Sequence, residues 1–439
     1  MNYLNNECMK ALHIIFLFAV AVLFAACSST EDATTEKPSA PTGSKTYTMT
    51  ISANKHGDTR ALSLEGNTLN SVWAQGEVVT VYNVTKSADL TGTLVAQGSG
   101  INTTLKGSLT GTIDNGDELK LKFLSPNYDS QTGTLEYIAA NCDYAEATVI
   151  VANVEGGNIT TAETASFTNQ QAIVRFILKN SGGTSISASS LTVSNNTNSY
   201  TITPASATSE IYVAIPGFSN NIVTLTASVG GSTYDFAKRE VTFENSSFYS
   251  INVKLSECID MASVTTDHAG KVIGADGKVY SHVRCATAAG TTASAMIGYV
   301  GNRNGVYGSA YSSEYNHGLA ISLSNVKQNG DEGSENMGPA SAKTAASSYK
   351  RTRPSNCSAW FLASKTQWSN IISTFGYAVL RDKFGTVGGS NLYSGSYWSS
   401  TDGTQDSRNT WSYSFNDNSH KWSEGRSDQT AYVRSFFAF

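Results

Sequence analysis

Alternation of apolar and polar side chains dominates the chain between residues 46 and 255. Tyr47, Met49 and Ile51 are separated by Thr48 and Thr50, and Leu119, Leu121 and Phe123 by Lys120 and Lys122. Ile211, Val213 and Ile215 repeat the pattern, as do Val223 with Leu225, and Tyr249, Ile251, Val253 and Leu255. Successive side chains on a strand point to opposite faces, so each run has one apolar and one wet face, as antiparallel sandwiches require. The turn dipeptides Asn115-Gly116, Gly156-Gly157, Gly182-Gly183 and Gly230-Gly231 punctuate the runs. Residues 135–147 depart from the alternation, with Leu135, Ile138, Ala139 and Cys142 at helical spacing. A second β unit opens with Ala172, Val174, Phe176 and Leu178.

The pattern changes after residue 256. Trp368, Ile371, Ile372 and Phe375 recur at i, i+3, i+4 and i+7, which predicts a helix over 364–375. Ser364 with Gln367 forms a capping box at its start, and Gly376 ends it. A weaker helix is predicted over 340–349. Short strands are predicted over 296–300, 319–323, 397–399, 411–415 and 432–437. Trp398, Trp411, Tyr413 and Phe415 read as core residues. The chain is therefore expected to be mainly β: sandwich units over 46–165 and 166–256, then an α+β unit over 257–439 with its own aromatic core.

The first residues change the compartment. Lys10 precedes an apolar run over 12–26, interrupted by His13. That run is short of the roughly 20 residues a spanning helix needs, and it reads as a secretory signal over 1–26. Leu23-Phe24-Ala25-Ala26-Cys27 resembles a lipobox, which implies that Cys27 becomes the lipidated first residue of the mature chain. The alternative is a secreted protein cut near Ala26. Glu31-Asp32 resembles the surface-export signal of Bacteroidota lipoproteins, which implies an outer-membrane anchor and cell-surface exposure. Residues 27–45 have little to bury and read as a tether.

The formal net charge is -5, with 30 Lys plus Arg against 35 Asp plus Glu, so no basic excess exists for nucleic acid. Export permits disulfides, but the wide spacing of Cys142, Cys258, Cys285 and Cys357 does not choose a pairing and leaves free buried thiols equally open.

Several blocks resemble the fimbrillin-like lipoproteins of Bacteroidota: Arg60-Ala61-Leu62, Trp73-Ala74-Gln75-Gly76-Glu77, Phe167-Thr168-Asn169-Gln170-Gln171-Ala172, Ile211 to Gly217, and Val241-Thr242-Phe243-Glu244-Asn245. The resemblance covers about 46–256. It implies two transthyretin-like Greek-key sandwiches and a pilus subunit whose partners are other fimbrial subunits. It further implies proteolytic maturation after Arg60, which removes a first strand carrying Tyr47, Met49 and Ile51. A neighbouring subunit's strand then takes its place, since a sheet edge with unpaired backbone can accept one. The alternative at Arg60 is an ordinary loop arginine.

The last unit also resembles a known module. The blocks Gly270-Lys271-Val272-Ile273, Asp276 to Tyr280, His317-Gly318-Leu319-Ala320, Trp360-Phe361-Leu362, Gly395 to Thr401 and Tyr432-Val433-Arg434 carry the likeness. It is to a C-terminal domain of Bacteroidota surface lipoproteins related to C-type-lectin-like and formylglycine-generating-enzyme-like folds. Ala363 and Phe436 stand where that family has a Pro and a Cys, so its disulfide is not carried over. The calcium-binding lectin loops are missing, as are a reactive Cys pair, an HxxxH pair and a Gly-x-Ser-x-Gly elbow. No enzyme, metal or cofactor is expected.

A binding surface remains. Polar loops over 401–409 and 416–430 lie between aromatic strands, and aromatic rings with Asp, Asn and Arg suit a glycan or a host-surface protein. Candidate ligand-facing residues are Trp422, Asp402, Arg408, Asn416, Asp417 and Arg426, with Trp422 open to a core reading as well. A globular unit following the last sandwich strand would hinder donation of a strand. The expectation is thus a tip or minor pilus adhesin, the alternative a surface lipoprotein that binds glycan or protein without polymerising. The pilus reading requires a replaceable first strand and a tail that is a separate body.

Overall fold

The computed structural model describes residues 45–55, 63–65, 68–70, 72–301, 315–404, 409–416 and 420–439. Cys27, Arg60, Arg408 and Asp417 lie outside them. Strands dominate, as expected from the alternation.

The first sheet has 8 strands in the order β10-β1-β6-β5-β4-β7-β8-β9. They are β1 (Lys45–Lys55), β4 (Val78–Asn83), β5 (Ala88–Ala96), β6 (Asn102–Gly111), β7 (Glu118–Phe123), β8 (Ala145–Glu155), β9 (Asn158–Thr161) and β10 (Ala165–Asn169). A hairpin of β2 (Ser63–Glu65) and β3 (Thr68–Asn70) stands apart. β9 also pairs with β1, and β10 with β8, so the sheet closes on itself around one core.

Its helix is shorter than the spacing suggests. α1 (Leu135–Asn141) starts at Thr134, whose hydroxyl accepts from the Tyr137 amide, and stops at Cys142. From Ala145 the chain is strand β8, because Ala145, Ala147, Val149 and Val151 alternate into the core. β10 belongs to this first sheet, and Gln170 stands between it and the first strand of the second sheet.

The second sheet has 7 strands in the order β13-β12-β15-β16-β17-β11-β14. They are β11 (Gln171–Asn180), β12 (Ser190–Ser194), β13 (Ser199–Ile202), β14 (Glu210–Pro216), β15 (Phe218–Val229), β16 (Ser232–Phe243) and β17 (Phe248–Glu257). It meets the first across Tyr128, Ile138, Cys142, Ile173 and Ala214. There the Gln131 side-chain amide both donates to and accepts from the Ala214 backbone, at 2.9 and 2.8 Å.

Beyond Glu257 a 5-stranded sheet runs β19-β18-β20-β21-β25 and a 3-stranded one β22-β23-β24. Their strands are β18 (Val272–Gly274), β19 (Val279–Tyr280), β20 (Ala293–Val300), β21 (Gly318–Ser322), β22 (Ser396–Asp402), β23 (Thr410–Ser414), β24 (Trp422–Gly425) and β25 (Phe436–Ala438). Helices α2 (Val283–Ala288), α3 (Pro339–Ser347), α4 (Lys365–Phe375) and α5 (Tyr377–Thr386) pack with them. α4 carries the expected Ser364–Gln367 capping box. α5 went unread in the sequence, although Leu380 and Phe384 bury one face of it.

The strand predicted over 432–437 is broken. Arg434 is fully buried and donates to Asn325 Oδ1 at 2.6 Å and to the Ser322 and Ser390 carbonyls at 2.7 and 2.5 Å. Ser435 gives its amide to the Ser322 hydroxyl and its own hydroxyl to the Ala346 carbonyl. These side-chain bonds accompany isolated backbone bridges, Ala431 with Met337 and Tyr432 with Tyr397, and regular pairing resumes at Phe436.

The tail, residues 258–439, holds its own core and also meets the second sheet. It is pinned there by a buried polar joint. Asp235 of β16, 2% exposed, accepts from the Ser281 amide at 2.5 Å and the Ser281 hydroxyl at 2.7 Å. Arg284 donates to the Ile222 carbonyl at 3.0 Å and to Asn196 Oδ1 at 2.9 Å. Cys285, buried beside Asp235, points its thiol at the Phe236 carbonyl, 3.8 Å away. Cys142, Cys258, Cys285 and Cys357 are all free and buried. Burial pushes the Cys142 thiol up to about 12, and those of Cys258 and Cys285 upward as well, so these thiols stay protonated and inert.

Burial also raises the Asp235 pKa, outweighing the Ser281 hydrogen bonds. The fold thus favours the protonated acid. This stabilisation is complete below the unfolded value of 3.8 and is lost as pH rises through the folded value. Asp235→Asn copies the neutral form and can still accept from the amide while its NH₂ donates to the hydroxyl. Thermal melts should show its stability relative to the parent rising from pH 4 to pH 7 and vanishing at lower pH. Asp235→Ala strands the Ser281 donors and should cost about 1–3 kcal/mol. A pH-independent difference for Asp235→Asn would refute the assignment.

Candidate functional site

The first candidate is strand β1. Tyr47, Met49, Ile51 and Ala53 point into the core, at 7%, 0%, 4% and 1% exposure, while Thr46, Thr48, Thr50 and Ser52 face solvent. One flank pairs with β6 along nearly its whole length, from Lys45↔Gly111 to Asn54↔Asn102. Gly107, opposite Met49, is required there, because a Cβ would lie 1.9 Å from the Thr93 carbonyl oxygen.

The other flank is not a free edge. It makes short parallel contacts, Thr48–Met49 with β9 and Ala53–Lys55 with β10. The strand's end is fixed by Lys55, whose buried ammonium is 2.6 Å from Glu77 Oε2 and 3.6 Å from the Trp73 ring centroid. Alternation predicted the inward set, but nothing in the spacing announced a lysine on the apolar face.

The second candidate is the polar and aromatic surface of β22–β24. Trp398, Tyr413 and Phe415 are buried as expected, whereas Trp411 is half-buried, which corrects its core assignment. Trp422 is also half-buried. In the antiparallel register Tyr413 stands opposite Trp422 and Trp411 opposite Glu424, so the rings share one face. Trp422 meets Tyr413 edge-on at 5.2 Å. The Lys365 ammonium lies 3.2 Å from the Trp411 centroid and 5.6 Å from that of Trp422. Tyr377 and His420 stack at 3.7 Å nearby.

Lys365 was not singled out from the sequence, although one signal was present. A cation at the first position of a helix opposes the macrodipole, and here the ring face offsets that cost.

The polar candidates do not converge. Asp402 pairs in register with Thr410, and its carboxylate is 3.1 Å from Lys343 Nζ. Arg426 follows the same end of the sheet, beside Gly425, and lies 3.4 Å from Asp428. Asn416 is beyond the opposite end, past Ser414, which itself lies roughly 13 Å from Thr410 for four residues of strand rise. Trp422, with Trp411 and Lys365, is therefore what the structure gathers. A flat apolar ring beside an ammonium and a carboxylate can take a pyranose face and orient its hydroxyls.

Among the described residues no group of His, Cys, Asp and Glu could hold a metal ion, and no helix is long and apolar enough to cross a membrane.

No family model and no curated protein matches the chain. Solved structures similar to it include a fimbrial protein from Bacteroides ovatus, 13% identical, covering 90% of this chain and 99% of that one at TM-score 0.27. Another is the tip fimbrial protein Mfa3 from Porphyromonas gingivalis with C-terminal truncation, 10% identical over 48% of this chain and 95% of that one, TM-score 0.26. A third is the shaft pilin spaA from Lactobacillus rhamnosus GG, 12% identical over 48% and 98%, TM-score 0.22. At these identities and TM-scores nothing about function transfers.

Trp73, Trp360, Trp368 and Trp398 are buried, leaving Trp411 and Trp422 as the reachable indoles. Acrylamide quenching of tryptophan fluorescence should fall to a small residue in a Trp411→Phe/Trp422→Phe double variant. Unchanged quenching would mean that the rings are covered.

Proposed function

We propose that the chain is a fimbrillin-like surface lipoprotein that acts as a tip or minor pilus adhesin. Cys27 carries the lipid that holds it to the outer membrane, and cleavage after Arg60 frees β1 for replacement by a strand of another fimbrial subunit. The two β units, changing over at Gln170, are then transthyretin-like sandwiches, and 257–439 is the lectin-like ligand-binding unit. The ligand is a glycan or a host-surface protein at the Trp411–Trp422 face.

The observation that carries this reading is the seat of β1. β1 sets Tyr47, Met49, Ile51 and Ala53 into the first core, and it is paired along nearly its full length on the β6 flank but only briefly on the other. A strand of the same alternation could occupy the same groove. A folded unit follows β17, which hinders donation of a strand from that end. That favours a subunit which accepts a strand and passes none on.

The part-buried Lys55–Glu77 pair favours a second reading, a surface-binding lipoprotein that does not polymerise, because exchange must break this ion pair and its buried ammonium's seat.

The test is exchange itself. Protein cleaved at Arg60 is incubated with a labelled 45–55 peptide and followed by native mass spectrometry. The peptide should displace the resident strand, and Met49→Asp in the peptide should abolish uptake. Retention of the original strand through days with excess peptide would exclude exchange and leave the second reading. Met49→Ala in the whole protein should cost about 2–5 kcal/mol in denaturant unfolding.

A further inference from the structure

A cleft of about 350 Å³ opens beside the Asp235–Ser281 joint. Its walls come from β15 and β16 on one side and from the tail on the other, so it is distinct from the Trp411–Trp422 face. Arg239, Lys271 and Lys383 line it, with Asp267 as the one acidic side chain. None of these cations forms an ion pair among the described residues. Lys271 acts on the buried Asp235 carboxyl only at longer range. On a chain of net charge -5, such a local excess of unpaired cations is costly to assemble unless it meets an anion.

One of the cations lies directly over the backbone. Gly270, at φ +84, has no Cβ, and a Cβ there would lie 2.3 Å from Lys383 Cε, so the lysine chain crosses over the glycine. Ile222, Ala237, Ala269 and Val387 supply apolar wall, and Ser281 and Thr386 supply hydroxyls. The volume is at the lower end of the ~300–1,000 Å³ usual for small-molecule sites. A bare inorganic ion would leave the apolar wall unused, and a neutral sugar would leave the cations unmatched.

We propose that this cleft binds a carboxylate-bearing monosaccharide unit, of the uronic or sialic acid class. Arg239 and Lys383 meet the carboxylate, and the apolar wall meets the ring. The proposal is independent of polymerisation, since the cleft exists in the monomer.

The experiment titrates the full-length mature chain with glucuronic acid and with N-acetylneuraminic acid by isothermal calorimetry. The methyl ester of glucuronic acid and inorganic sulfate serve as comparators. At least one acid should bind saturably, weaken at least tenfold in an Arg239→Ala/Lys383→Ala double variant, and weaken with added salt. Both side chains reach solvent, and a thermal melt checks that the variant keeps its fold. Absence of saturable binding overturns the proposal, as does affinity unchanged in the double variant or equal for the neutral ester. Sulfate binding as tightly as either acid overturns the sugar assignment. Failure of strand exchange leaves these outcomes untouched, so the cleft and the pilus reading stand or fall separately.

Discussion

A buried carboxyl group in contact with no cation joins the halves of this molecule. Asp235 reaches out of the second sheet and receives the amide and hydroxyl of Ser281. Without it the tail would be joined to the β units through β17, the contacts of Arg284 and Cys285, and the Cys258 amide on the Thr233 carbonyl. Directional hydrogen bonds to a desolvated acceptor fix orientation as well as proximity, and an apolar patch alone would allow sliding. The same joint sets the walls of the cationic cleft at a fixed separation. It also keeps Cys285 sealed against the Phe236 carbonyl, away from oxidants.

Much of the fold was legible because period-two alternation reports a local rule. The inward residues of β1, β7, β14 and β17 follow directly from it, and the capping box placed the start of α4. What stayed hidden was set by long-range partners. α1 ends early because Ala145 and Ala147 are recruited by a sheet, and the terminal strand is interrupted because Arg434 spends its donors on distant carbonyls. Burial pulls the Arg434 pKa down to about 10, which still leaves it charged at neutral pH. The block Tyr432-Val433-Arg434 thus carries a structural signature, in which one guanidinium ties the loops at Asn325 and Ser390 to the chain's last strand.

The candidate site was legible only in part, for a related reason. Composition located aromatic and polar residues in the right segment, but convergence is a property of register. Tyr413 opposite Trp422 brings the rings together, while Asn416 and Arg426 fall at opposite ends of the same small sheet. Lys365 joins from a helix, and Arg239, Lys271 and Lys383 meet across two units far apart in sequence. No spacing rule connects such residues.

The ladder between β1 and β6 has a mechanical consequence. Tension applied at Lys45 along the strand would act parallel to the axis of β1, across bonds that run perpendicular to it. Such a load is shared by the whole ladder at once, as in shear, instead of opening one rung after another. The strand therefore resists a pull on its leading end far better than it resists a competitor that invades rung by rung from the side.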